Sequence, residues 1–194
     1  DELEQGDGDT NFVDPNFNIP SEWRTQIAAD YIFDIPGLGE GFSWTNELLY
    51  VKKQDSAFWV DAALEDSNVT TADGGRTLYI DDERRYDLML TNADDSGRSI
   101  IFSTSLNKSW DNGLSINMAY TNQDVEEANP GTSSTAKSNY RYNVSQNMNM
   151  PTLGTAAYEI EHRFILSLNY ETELFSGYAT RANLFFERRS GRPF

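Results

Sequence analysis

Carboxylates are the reactive groups this chain has in abundance: 31 Asp and Glu against 15 Lys and Arg, for a formal net charge of -16. Carboxylates do two kinds of chemistry. A pair can share acid and base work, as in glycoside hydrolysis. A cluster can offer the six to eight or so oxygens that Ca²⁺ takes. Candidates for the cluster are Asp61, Glu65, Asp66, Asp73, Asp81, Asp82, Glu83, Asp94 and Asp95. "DGDTN" at Asp7–Asn11 starts like a calcium loop but has no terminal Glu at the required distance. No spacing singles out an acid and a base, so an enzyme is not expected. The simpler reading of the acids is a solvated surface whose like charges hold loops extended, with no cofactor.

Other residue types narrow the chemistry further. The chain has no cysteine, which removes disulfides and thiolate metal sites. Its single histidine, His162, argues against a zinc site and a Ser-His-Asp triad. His162 is either a proton switch or, more simply, one member of an interfacial polar ring, since the sequence suggests no partner for it. The negative charge excludes nucleic acid as a partner, because phosphates call for a basic surface. Phe58 and Trp59 in "AFWVDAAL" are candidates for substrate contact from a loop; packing of a loop core is the plainer alternative. Arg24, Asp30, Glu47, Glu159, Glu161, Arg163, Arg181 and Glu187 form a candidate polar wall that lines a lumen. The plainer reading is a set of cross-strand ion pairs, with Arg163 and Arg181 facing Glu161 or Glu187.

These residues need elements to position them, and the elements read as strands. Six segments alternate apolar and polar residues: 22–33, 42–52, 98–110, 114–122, 158–171 and 178–188. "DIPGLGEG", "DNG" and "ELFSG" are turn signals between the paired segments. The polar stretches 54–97 and 123–157 separate the pairs. The first holds two lesser apolar patches, "AFWVDAAL" and "YDLMLTN", read as strand extensions or a small hairpin outside the main sheet; the second is read as mobile in isolation. Connections therefore run short, long, short, long, short. In an up-and-down meander this places every short turn at one end and both long loops at the other, as in transmembrane barrels.

The apolar faces meet either lipid or a second sheet. Tyr31, Phe33, Phe42, Trp44, Trp110, Tyr170 and Tyr178 lie next to the short turns, and Trp23, Tyr50, Tyr120, Tyr158 and Phe186 lie toward the opposite ends. Between them sit mostly aliphatic residues, with Phe102 among them. Rings at both edges of an aliphatic band match the girdles of a membrane barrel. The opposite face is mostly Ser, Asn, Gln, Thr and Ala, which suits a wet barrel interior better than an outer sheet surface guarded by Lys and Glu. The alternative is a β-sandwich, soluble or attached to the cell surface, acting as a glycan-binding or adhesion module. Lipid demands closure, because hydrocarbon leaves unpaired backbone groups unsatisfied. The six strands therefore need further strands, and the chain is read as one piece of a longer polypeptide.

Four stretches carry a family resemblance: "DPNFNIPSEWR" at Asp14–Arg24, "YDLMLTNADDSG" at Tyr86–Gly97, "EIEHRFILSLNY" at Glu159–Tyr170 and "FFERRSGRPF" at Phe185–Phe194. In order and spacing the chain resembles the barrel of Oar-like TonB-dependent outer-membrane transporters. The resemblance spans all but the acidic first dozen residues. It implies an all-β, antiparallel up-and-down meander within a large transmembrane β-barrel, with residues 1–194 a partial barrel domain and 54–97 and 123–157 its outer loops. It further implies the outer membrane of a Gram-negative bacterium, outer-membrane lipid and lipopolysaccharide as surroundings, and a plug domain and remaining strands elsewhere in the polypeptide. Active transport would be driven by the TonB complex acting on a segment this chain lacks.

Overall fold

The computed structural model describes residues 8–73, 75–80, 86–143, 145–150 and 152–193. Asp81, Asp82 and Glu83 of the acidic cluster, Asp7 of the calcium-like stretch and Phe194 lie outside the described residues. The chain forms two compact units: Asp1–Trp23, Lys52–Arg98 and Glu126–Ala156 make the first, and Arg24–Val51, Ser99–Val125 and Ala157–Phe194 the second.

The architecture is all-β. Its strands are β1 (Thr10–Val13), β2 (Ser21–Ile35), β3 (Gly39–Gln54), β4 (Ala57–Asp61), β5 (Glu65–Thr70), β6 (Thr77–Ile80), β7 (Asp87–Asn92), β8 (Arg98–Ser109), β9 (Leu114–Glu127), β10 (Gly154–Thr155), β11 (His162–Phe175) and β12 (Tyr178–Arg189). One short helix, α1 (Ala136–Arg141), interrupts them. The six alternating segments become β2, β3, β8, β9, β11 and β12, and they lie side by side in that order, which is a meander. The β8/β9, β9/β11 and β11/β12 pairs are antiparallel.

Strand ends depart from the sequence reading by up to five residues. β9 continues to Glu127, and β11 begins at His162 rather than Tyr158. Glu159 explains the second difference. Extending the β9/β11 register would set residue 159 opposite Val125. Instead the buried Glu159 carboxylate accepts the Val125 N–H at 2.5 Å, so a side chain takes over the ladder bond from the main chain. Glu159 is therefore a backbone anchor and not a member of a lumen wall.

The first unit is built from the two polar stretches, which are neither bare nor extended. "AFWVDAAL" and "YDLMLTN" pair antiparallel as β4 and β7, outside the main sheet, and β1 adds to β7 in parallel. Phe58, Ala93 and Ala128 form a buried cluster packed by Val60 and Leu153. Asparagines supply the missing ladder bonds: Asn149 accepts from the Asp61 N–H at 2.8 Å and donates to the Asp61 carbonyl at 2.7 Å. Tyr140 is buried and donates to Asn149 Oδ1 at 3.0 Å; burial, and then the charge of Asp61, push its hydroxyl upward, so it stays a proton donor. Residues 123–157, read from sequence as mobile in isolation, hold the end of β9, α1 and β10. At six residues and without a side-chain cap, α1 has no signature in the sequence.

Two carboxylates hold β1 in place. Asp9 Oδ2 accepts from Lys137 Nζ at 2.9 Å and Asp9 Oδ1 from the Tyr86 N–H at 3.1 Å. Asp14 accepts from the Asn16 N–H and the Thr91 hydroxyl, both at 2.8 Å. The Lys137 bond foremost lowers the Asp9 pKa, and the Asn16 N–H foremost lowers that of Asp14, from an ordinary value of 3.8. A depressed folded pKa means stabilisation that is full above the ordinary carboxylate range and fades as pH falls through the folded value. Amide hydrogen exchange at Thr10–Val13 is therefore expected to be unchanged by this linkage between about pH 8 and 5, and protection to drop below about pH 4. Asp9→Asn with Asp14→Asn should abolish the acid step.

Candidate functional site

In the second unit the long strands form one layer with two chemically distinct faces. Register builds the apolar face row by row. Leu106 lies opposite Met118, Met118 opposite Leu166 and Leu166 opposite Phe186. The next row is Lys108, Ile116, Leu168 and Leu184. Toward the long-loop end come Thr104, Tyr120, Phe164 and Arg188, and beyond them Phe102, Asn122 and His162. Among the described residues of this unit no second sheet covers these rows. Phe102 is 37 % exposed, Phe164 36 %, Phe186 50 % and Leu184 58 %, while Leu106, Ile116, Met118, Leu166 and Leu168 are half-buried.

At the turn end four rings meet in a chain. Tyr31 stacks on Phe33 at 5.8 Å, Phe33 on Phe42 at 5.7 Å, and Phe42 meets Trp110 edge-on at 6.0 Å. Trp110 Nε1 donates to the Leu38 carbonyl at 2.6 Å. Lys108 bonds the Glu40 carbonyl and sets its ammonium 5.6 Å over Phe42 and 5.5 Å over Trp110. The lysine stem thus runs along the apolar face and its charge is met by rings and a carbonyl. At the loop end Tyr120 stacks on His162 at 6.1 Å, and Phe164 lies 6.3 Å from Phe186. Phe102, expected in the middle of its strand, belongs to this loop-end row, because β9 and β11 set it level with Asn122 and His162.

His162 has partners that its spacing in the sequence conceals. Tyr120 Oη lies 2.9 Å and Asn122 Nδ2 3.2 Å from its Nδ1, and Glu161 Oε1 lies 3.4 Å from its Nε2. Glu161 itself is tied in by its carbonyl, which accepts from the Gln123 N–H at 3.0 Å.

The opposite face carries the polar wall. Arg163 Nε donates to Glu187 Oε1 at 3.0 Å, one of the expected pairings. Arg181 binds Glu171 with two bonds, at 3.0 and 3.2 Å, rather than Glu161 or Glu187. Glu171 and Arg181 lie equally far from the turn tip at Ser176, and that symmetry was available in the sequence as the signal for the pair. Asp30 accepts from the Thr45 hydroxyl at 2.6 Å. Glu47 is half-buried on the Thr45 side of β3, and Arg24 is exposed on the Asp30 side of β2. Asn107 and Asn117 bond side chain to side chain across β8 and β9. These pairs tie the polar face together across the strands.

In the first unit the remaining candidates disperse. Phe58 is 1 % exposed, so it packs the loop core and cannot meet a substrate; Trp59 beside it is half-buried. Asp61 is buried and accepts from the N–H groups of Ala63 and Asp87. Asp66 accepts from the Asn68 N–H at 2.7 Å, Asp73 lies 3.5 Å from Arg76, and Asp95 accepts from the Gly97 N–H at 3.1 Å. Glu65 and Asp94 are exposed. Among the described residues no three acidic or imidazole groups converge as a metal site would require. No described helix is long and apolar enough to cross a membrane, which says nothing about strands. No protein-family model, no curated protein and no solved structure matches this chain.

Proposed function

We propose that the second unit is a section of wall of an outer-membrane β-barrel, and that the chain serves a TonB-dependent transporter of the Oar-like kind by contributing wall strands and outer loops. One observation carries the reading: a single-layered sheet with an open apolar face of aliphatic rows, a ring belt at the turn end and mixed rings and polar groups at the loop end. In water so large a contiguous apolar face would drive association; in lipid it needs no cover. Strand length agrees. The 12 residues of β8 extend about 40 Å at about 3.3 Å each. A tilt of about 45° leaves about 28 Å along the barrel axis, against an apolar band of about 25 Å.

β2 and β12 are the sheet's edges and expose backbone groups along their length. Closure in lipid requires strands on both sides. Those strands, the plug and the TonB-contacting segment are assigned to the rest of the polypeptide. Detergent phase partition of the full-length protein tests the reading. It should enter the detergent phase and show a heat-modifiable band on gels; recovery from the aqueous phase without detergent sinks the proposal.

A further inference from the structure

We propose that the apolar face of the second unit holds a specific site for one acylated, phosphorylated lipid of the outer leaflet, the chemistry of lipid A; this rests on the barrel reading above. Trp44, Thr104, Leu106, Met118, Tyr120 and Phe164 line a shallow apolar groove of about 230 Å³. Its polar atoms are already used: Trp44 Nε1 donates to Thr104 Oγ1 at 2.8 Å, and that hydroxyl donates to Asn46 Oδ1 at 2.9 Å. The groove therefore offers nothing to a polar guest and fits an acyl chain.

Charge identifies the other half of the guest. Arg188 lies directly opposite Phe164, at the loop end of the groove. Arg163 and Arg181, on the polar face, are paired with Glu187 and Glu171. Among the described residues Arg188 has no such carboxylate, and it is exposed in a chain of net charge -16. An unpaired guanidinium on a lipid-facing surface is costly unless an anion meets it, and guanidinium suits phosphate by its fork of donors. His162 sits diagonally beside Arg188, since its N–H and carbonyl bond Ser190. Glu161 lies against the Nε2 of His162, so that carboxylate faces the imidazole. Arg188 thus stands level with the loop-end row of the groove, on the strand next to Phe164, and the Leu106–Met118 row of the groove lies toward the turn end, so head and tail of an outer-leaflet lipid would meet them in that order.

Native mass spectrometry of the full-length protein in detergent, with equimolar lipid A and phosphatidylethanolamine, tests the site. Wild type should retain lipid A preferentially. Arg188→Gln should cut that retention about tenfold, the effect of one lost charge-assisted contact. Met118→Trp, which fills the groove, should cut it as well, and Arg76→Gln in the first unit should leave it unchanged. Equal retention of the two lipids by wild type, or undiminished lipid A on Arg188→Gln, overturns the site. Heat modifiability of the same samples separates the two readings: a folded barrel without lipid preference defeats the site alone, and a protein that never enters detergent defeats the barrel reading along with it.

Discussion

Gly113→Ala is expected to destabilise the protein by about 3–5 kcal/mol and to prevent much of it from folding. Gly113 ends the turn between β8 and β9 with φ +85°. Its N–H donates to the Trp110 carbonyl at 3.1 Å, and its carbonyl accepts from the Glu171 N–H at 2.9 Å. A Cβ at this position would lie 1.8 Å from the Glu171 carbonyl oxygen of β11. The backbone is held on both sides, so relief requires β11 to move away from β9. Left-handed strain and overpacking each cost about 1–3 kcal/mol, and here they act together. Gly177→Ala isolates the first effect, because Gly177 has φ +81° and nothing within 4 Å of its added Cβ; it should cost only about 1–2 kcal/mol. Urea midpoints of the refolded proteins measure both. Equal losses would mean that the turn does not press on β11.

Leu166→Arg should cost about 2–4 kcal/mol if the apolar face meets hydrocarbon, and should sharply reduce the amount of protein assembled in the outer membrane. Leu166 sits in the row Leu106, Met118, Leu166 and Phe186. On a surface that meets water the same change would stay within about 0.5 kcal/mol. The two environments differ by more than the error of a folding titration, so the substitution decides between them. Ser167→Arg, one residue along on the polar face, is the matched control and, if that face lines a wet lumen, should cost under about 1 kcal/mol. Equal tolerance at both positions would remove the case for lipid.

Strand identity and order were legible in the sequence because they rest on local information. A period of two places Phe164, Leu166, Leu168 and Tyr170 on one face whatever surrounds them. Gly113 and Gly177 accept positive φ, so those turns declare themselves. The short and long connections then leave few topologies open. Hairpin symmetry also made Glu171 and Arg181 partners in principle.

Tertiary structure decided what depends on residues far apart in the chain. The Asn149 side chain serves the backbone of Asp61, and Lys137 reaches Asp9; no local pattern encodes either. The long polar stretches read as solvated loops because their apolar residues are few. Phe58, Ala93 and Ala128 come from three separate segments, and they form a core only once those segments meet. Register, set by the turns and the ladder bonds, placed Arg188 across from Phe164 and gave His162 its tyrosine. Alternation names the face on which a side chain stands; its neighbours there are chosen by pairing across strands, and that pairing forms only when the chain folds.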